Sequence, residues 1–173
     1  MVTTTTRGHA VSTPSFADNR SRRTGAVRRI TSEIARYLGA ASILVVGGIH
    51  AQQYYEAYYS QVPIIGTLFL LSFIGAGIVG AVLLAPVRLL GKRLGDLIVV
   101  IATLGAIGIA LGTLVSLLVS EYTPLYGFME VGYGLAIVLT LLFDSLTTVF
   151  LGVFLLIVGP ELIRAFRTPR RAG

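Results

Sequence analysis

Apolar residues in this chain do not alternate with polar ones; they come in long, nearly uninterrupted runs. Charged residues are missing from 37–55, 57–87 and 97–120, stretches of 19, 31 and 24 residues. A fourth run, 131–160, covers 30 residues and is broken only by Asp144. A helix rises about 1.5 Å per residue, so about 20 apolar residues cross a hydrocarbon core about 30 Å thick. The runs predict four membrane-spanning helices, approximately 37–55, 64–85, 97–119 and 134–158. The first is the least apolar, with Gln52 and Gln53 near its end. Asp144 divides the fourth into uncharged pieces of 13 and 16 residues, each too short to cross alone. Either one helix carries an acid, or two re-entrant segments meet there.

The positions of the basic residues decide between these. Lys and Arg collect on the cytoplasmic side of short loops. Seven precede the first span, Arg88, Lys92 and Arg93 lie between the second and third, and Arg164, Arg167, Arg170 and Arg171 follow the fourth. Together these are all 14 basic residues of the chain, and the loops 56–63 and 120–133 hold none. An odd number of crossings would strand the last four arginines on the other side. The expected fold is all-α: a four-helix transmembrane bundle with both termini cytoplasmic. Residues 1–30 read as a disordered basic cytoplasmic tail, 31–166 as the membrane domain and 167–173 as a second basic tail.

Composition sharpens the class. The chain is 54% hydrophobic and 13% charged, with 20 glycines and a mean hydropathy of +0.82. Soluble domains carry about 25% charged residues and about 7% Gly, so a water-soluble globule and a disordered chain are both excluded. Cysteine is absent, which removes disulfides, Fe–S clusters, Cys-ligated zinc and a Cys nucleophile. The net charge of +6 would suit nucleic acid, but topology already accounts for where it sits. The expected setting is a bacterial cytoplasmic (inner) membrane. The polar start, rich in Thr, Ser and Arg, does not read as a cleavable signal peptide. An organellar transit peptide is the alternative for this segment. The expected partners are the lipid bilayer and a second copy or another membrane protein. Arginines between 20 and 36 also suit anionic headgroups, at about 1 kcal/mol each.

Lipid gives helices no hydrophobic reason to associate, so small residues that allow close approach should mark the contacts. Gly105, Gly108, Gly112, Ser116 and Ser120 recur at steps of three or four and form one ridge on the third span. Ala76, Gly77 and Gly80 on the second span, and Gly47 and Gly48 on the first, are the expected counterparts.

Two residues carry unusual chemistry for this depth. Asp144 shares a face with Thr140, Thr147 and Thr148, and farther out with Tyr133 and Glu130. A charged acid at mid-membrane costs about 2.5–3.5 kcal/mol on insertion scales, so it should face the bundle interior. His50 shares a face with Gly47, Tyr54 and Tyr58. Counted from the span centres, His50 lies about 4.5 Å and Asp144 about 3 Å beyond the midplane. Matching depths predict a His50–Asp144 hydrogen bond, with Thr140 and Ser72 nearby. The pair reads first as structural glue, next as a proton or ion relay, and last as a haem or metal site. A lone intramembrane histidine with no second His, Met or Cys makes a poor ligand set, so no metal and no cofactor is expected.

Seven of the eight tyrosines fall at the ends of spans or in loops remote from the termini. They read as an interfacial belt. The alternative is an aromatic cup, with Tyr54 and Tyr58 rimmed by Glu56, Glu121 and Glu130, suited to a cation or an amphipathic ligand. No phosphate-binding glycine loop, metalloprotease helix or nucleophile–base arrangement is present. The function expected is that of a non-enzymatic accessory or interaction subunit. The alternative is a small proton- or cation-coupled carrier using Asp144 and His50, formed by an oligomer.

The stretch from Ile49-His50 through Tyr58 into Val62-Pro63-Ile64-Ile65-Gly66-Thr67-Leu68-Phe69-Leu70-Leu71 resembles a group of small actinobacterial four-helix membrane proteins. The resemblance implies the same four-span architecture and makes His50, Pro63 and Gly66 part of a shared feature. It implies no activity. Physically, Pro63 suits a helix start, where its missing N–H costs nothing.

Overall fold

The computed structural model describes residues 16–56, 59–123 and 134–167. They form four helices: α1 (Phe16–Glu56), α2 (Pro63–Leu84), α3 (Lys92–Tyr122) and α4 (Leu135–Arg167). Short 3-10 turns, Tyr59–Gln61 and Val87–Leu90, precede α2 and α3. Each helix contains a stretch long and apolar enough to cross a membrane. α4 is continuous through Asp144, so the fourth apolar run is one helix carrying an acid.

Local sequence sets the helix starts. Val62 is extended and Pro63 begins α2. The amide of Gly66 closes the first turn on the Val62 carbonyl at 2.7 Å. Gly91 precedes α3 with φ at 106°, a conformation open to glycine and strained for any L side chain. α1 begins earlier than expected. The boundary placed at residue 30 falls inside the helix, which runs back to Phe16, while 1–15 lie outside the described residues. Arg23 to Ile30 are all exposed there, so this extension is an unburied continuation of a helix already started in the bundle.

α1 lies between α2 and α4, and α3 closes the ring by packing on both of them. Successive helices run antiparallel, so the start of the first span in α1 and the end of α4 lie at one end of the bundle. Arg28, near the start of α1, donates to the carbonyl of Ile157 near the end of α4. Arg36 marks the same end: it is buried, pairs with Glu33 at 2.8 Å and donates to the Tyr37 hydroxyl at 2.9 Å.

The most polar span is the most enclosed. Within its most apolar window α1 is 56% buried by protein, against 17% for α2. A helix wrapped by neighbours needs less apolar exterior, and this accounts for the weak hydropathy of the first span. α2, α3 and α4 instead turn residues such as Ile74, Ile78, Ile101, Val115, Val149 and Leu156 outward.

The main buried cluster occupies one half of the bundle, while Ile49, Ile65 and Ala110 are buried in the other. Its members are Ala40, Ile43 and Val46 of α1, Ala76 and Leu83 of α2, Val99, Ala102 and Ala106 of α3, and Leu151 and Phe154 of α4. All lie in the half nearest the termini. Close backbone approach holds it together, as the physics of packing in lipid requires. A Cβ on Gly39 would overlap Leu151, one on Gly47 would stand 3.0 Å from Ala76, and one on Gly80 would stand 2.6 Å from Leu44.

Candidate functional site

The other half of the bundle is hollow. A cavity of about 410 Å³, open on one side, lies between all four helices there. His50 and Gln53 reach it from α1, Ser72 and Phe69 from α2, and Thr140 from α4. The α3 wall is the small-residue ridge itself: Gly108, Gly112, Ser116 and Ser120, with Thr113 beside them.

This wall corrects one expectation. Of the three ridge glycines, only Gly105 meets a neighbouring helix, since a Cβ there would stand 3.3 Å from Val79 of α2. Among the described residues, a Cβ on Gly108 or Gly112 would meet nothing within 4 Å. The same holds for Gly48 and Gly77. The ridge is narrow enough to permit contact, but in its second half α3 leaves space where a neighbour would have packed. Small side chains there define a void.

The His50–Asp144 hydrogen bond also does not form. His50 is 6% exposed, and its Nδ1 lies 2.8 Å from the carbonyl oxygen of Val46, one turn back in its own helix. Its ring packs on Phe69 with centroids 5.0 Å apart and planes tilted by 44°. Asp144 is fully buried, and its Oδ2 accepts a hydrogen bond from the Thr113 hydroxyl of α3 at 2.5 Å. Its Oδ1 has no partner among the described residues. Matching positions along two helices do not fix the direction in which a helix face points. α4 turns Asp144 toward α3, and α1 turns His50 toward α2.

The rest of the polar stripe on α4 satisfies itself. Thr147 donates to the Phe143 carbonyl at 2.8 Å and Thr148 to that of Asp144 at 3.0 Å. Hydroxyls bonded back into their own helix are spent on the backbone and do not serve the carboxylate. Thr140, by contrast, lines the cavity together with His50 and Ser72, so the expected neighbourhood of those three holds.

The expected rim is only partly visible. Glu56 is exposed at the end of α1 and accepts a hydrogen bond from Gln52 at 3.0 Å. Tyr54 packs edge-on against Tyr55 at 5.0 Å. Tyr58, Glu130 and the side chain of Glu121 lie outside the described residues. Residues that sequence reasoning missed are Thr113, Gln53 and Phe69. Thr113 gave a signal: it follows Gly112 directly and is one of two threonines in the third span, the other being Thr103.

Four helices, each long and apolar enough to span a membrane, are consistent with a multi-pass integral membrane protein. No family model, curated protein or solved structure matches the chain.

Proposed function

We propose that the chain is a non-enzymatic protein of a bacterial cytoplasmic membrane, with both termini cytoplasmic, that serves as an accessory subunit by holding a lipid-soluble molecule in its cavity. The observation that carries this reading is the pair of glycines, Gly108 and Gly112, which face open space in the midst of a four-helix bundle. In lipid, unpacked small residues forfeit the contacts that hold helices together. A ligand from the bilayer would restore them. The volume falls within the range of about 300–1,000 Å³ typical of small-molecule sites.

The carrier alternative draws less support. A route through the bundle would have to continue from the cavity toward the termini, where Ile43, Val46, Leu83, Leu151 and Phe154 are packed without exposure. Asp144 is not on the cavity wall among the described residues.

Two measurements test the proposal. In nanodiscs formed from native membranes, the protein should retain a lipophilic molecule visible by native mass spectrometry. Gly112→Leu, which projects a side chain into empty space, should lose that molecule while keeping its helicity. Equal retention by the variant would remove the cavity as the site. For orientation, the absence of cysteine is useful. Ser60→Cys should react with an impermeant maleimide added to intact cells, and Ala172→Cys should not. The reverse pattern would invert the topology.

A further inference from the structure

We propose that the molecule held in the cavity is an uncharged lipid-soluble alcohol or phenol, whose hydroxyl donates a hydrogen bond to Nε2 of His50. This rests on the ligand-holding reading above and adds the chemical class.

The inference starts from the histidine ring. A backbone carbonyl accepts hydrogen bonds and donates none, so the contact at 2.8 Å between Nδ1 and the Val46 carbonyl places the ring proton on Nδ1. The neutral ring then offers Nε2 as an acceptor. The ring is held at two points, by that bond and by its packing on Phe69, so it cannot turn Nε2 away to another partner. Among the described residues nothing donates to Nε2, and His50 lines the cavity while being 6% exposed. Nε2 is not one of the fully buried unpartnered atoms, which among the described residues are Arg36 Nε and Asp144 Oδ1, so it is reachable from the cavity. A ligand that supplies a donor there gains a hydrogen bond of about 0.5–1.5 kcal/mol.

The remaining wall sets the other properties. Ile65, Leu68, Leu71, Leu117 and Ile137 give the cavity a largely apolar lining, which suits an apolar body. Among the described residues no Asp, Glu, Lys or Arg lines it. A charged ligand would be desolvated with nothing to compensate it, so an ammonium or a carboxylate is disfavoured where a hydroxyl is not. Glu56 projects at the helix end and forms no part of the wall.

The test compares two isomers, 1-decanol and 1-methoxynonane, which share every heavy atom and differ only in the donor. The chain has two histidines, so a His9→Ala background leaves His50 as the single imidazole reporter. In nanodiscs, titration followed by ¹⁵N NMR of labelled histidine should show the Nε2 resonance moving with decanol and staying in place with the ether. Decanol should bind about threefold to tenfold more tightly than the ether, as one net hydrogen bond dictates. In His50→Phe both isomers should bind equally. Equal affinity of the two isomers in the histidine-bearing protein, or a preference for decanol that survives in His50→Phe, would overturn the assignment. Binding of neither isomer, together with no retained native molecule, would instead remove the ligand-holding reading itself.

Discussion

Gly39→Ala is expected to destabilise the bundle by about 1–3 kcal/mol, even though alanine is the better helix former by about 1 kcal/mol. The added carbon would come within 2.5 Å of Leu151 Cγ, far inside the contact distance of about 3.5–4.0 Å between carbons. Leu151 is fully buried between α1 and α4 and has nowhere to go, so the helices must separate. Gly80→Ala poses a similar overlap with Leu44, yet Leu44 is only half-buried and can swing toward lipid. Its cost should be distinctly smaller. Gly48→Ala meets nothing and should be neutral or stabilising by roughly 0.5–1 kcal/mol. Denaturant titration of the detergent-purified protein, followed by circular dichroism, would rank the three. A Gly39→Ala protein as stable as the unmodified one would show that α1 and α4 do not approach so closely.

Thr113→Val should cost about 1–3 kcal/mol, the penalty for leaving a buried polar group unmet. The interhelical hydrogen bond itself contributes less, since such bonds average about 0.6 kcal/mol within membranes. The larger effect comes from Asp144, whose second oxygen already lacks a partner among the described residues. Asp144→Val should cost little, because the Thr113 hydroxyl keeps the Ala110 carbonyl at 2.9 Å as an acceptor. The double variant should therefore be more stable than Thr113→Val alone. A cycle between His50 and Asp144 should be additive, as the two share no bond. Coupling in that second cycle, with none in the first, would contradict the pairing seen here.

Most of the architecture was legible before any coordinates, because length and charge act along the chain, the dimension a sequence records. Four helices stand where four apolar runs stood, Pro63 starts α2, and one helix runs unbroken through Asp144. Gly47 and Gly80 were readable as contact points from their size alone. What stayed hidden was rotation about each helix axis. Asp144 and His50 were joined to each other, whereas Asp144 meets Thr113 and His50 meets the Val46 carbonyl and Phe69. A 3.6-residue periodicity groups residues on a face without naming the neighbour that face meets. The ridge of α3 fails for the same reason. Small residues allow an approach, and only the three-dimensional arrangement decides whether one takes place along the whole ridge or, as here, along half of it.

The enclosure of α1 bears on the order of synthesis. This helix leaves the ribosome before α2, α3 and α4, yet it buries more than half of its apolar window against segments that follow it. Until α2 and α4 emerge, its Gln52, Gln53 and His50 have only lipid or the translocon for company. Its residence in the bilayer is thus a debt to the rest of the polypeptide, and truncation before α4 should leave the first segment sliding back toward water.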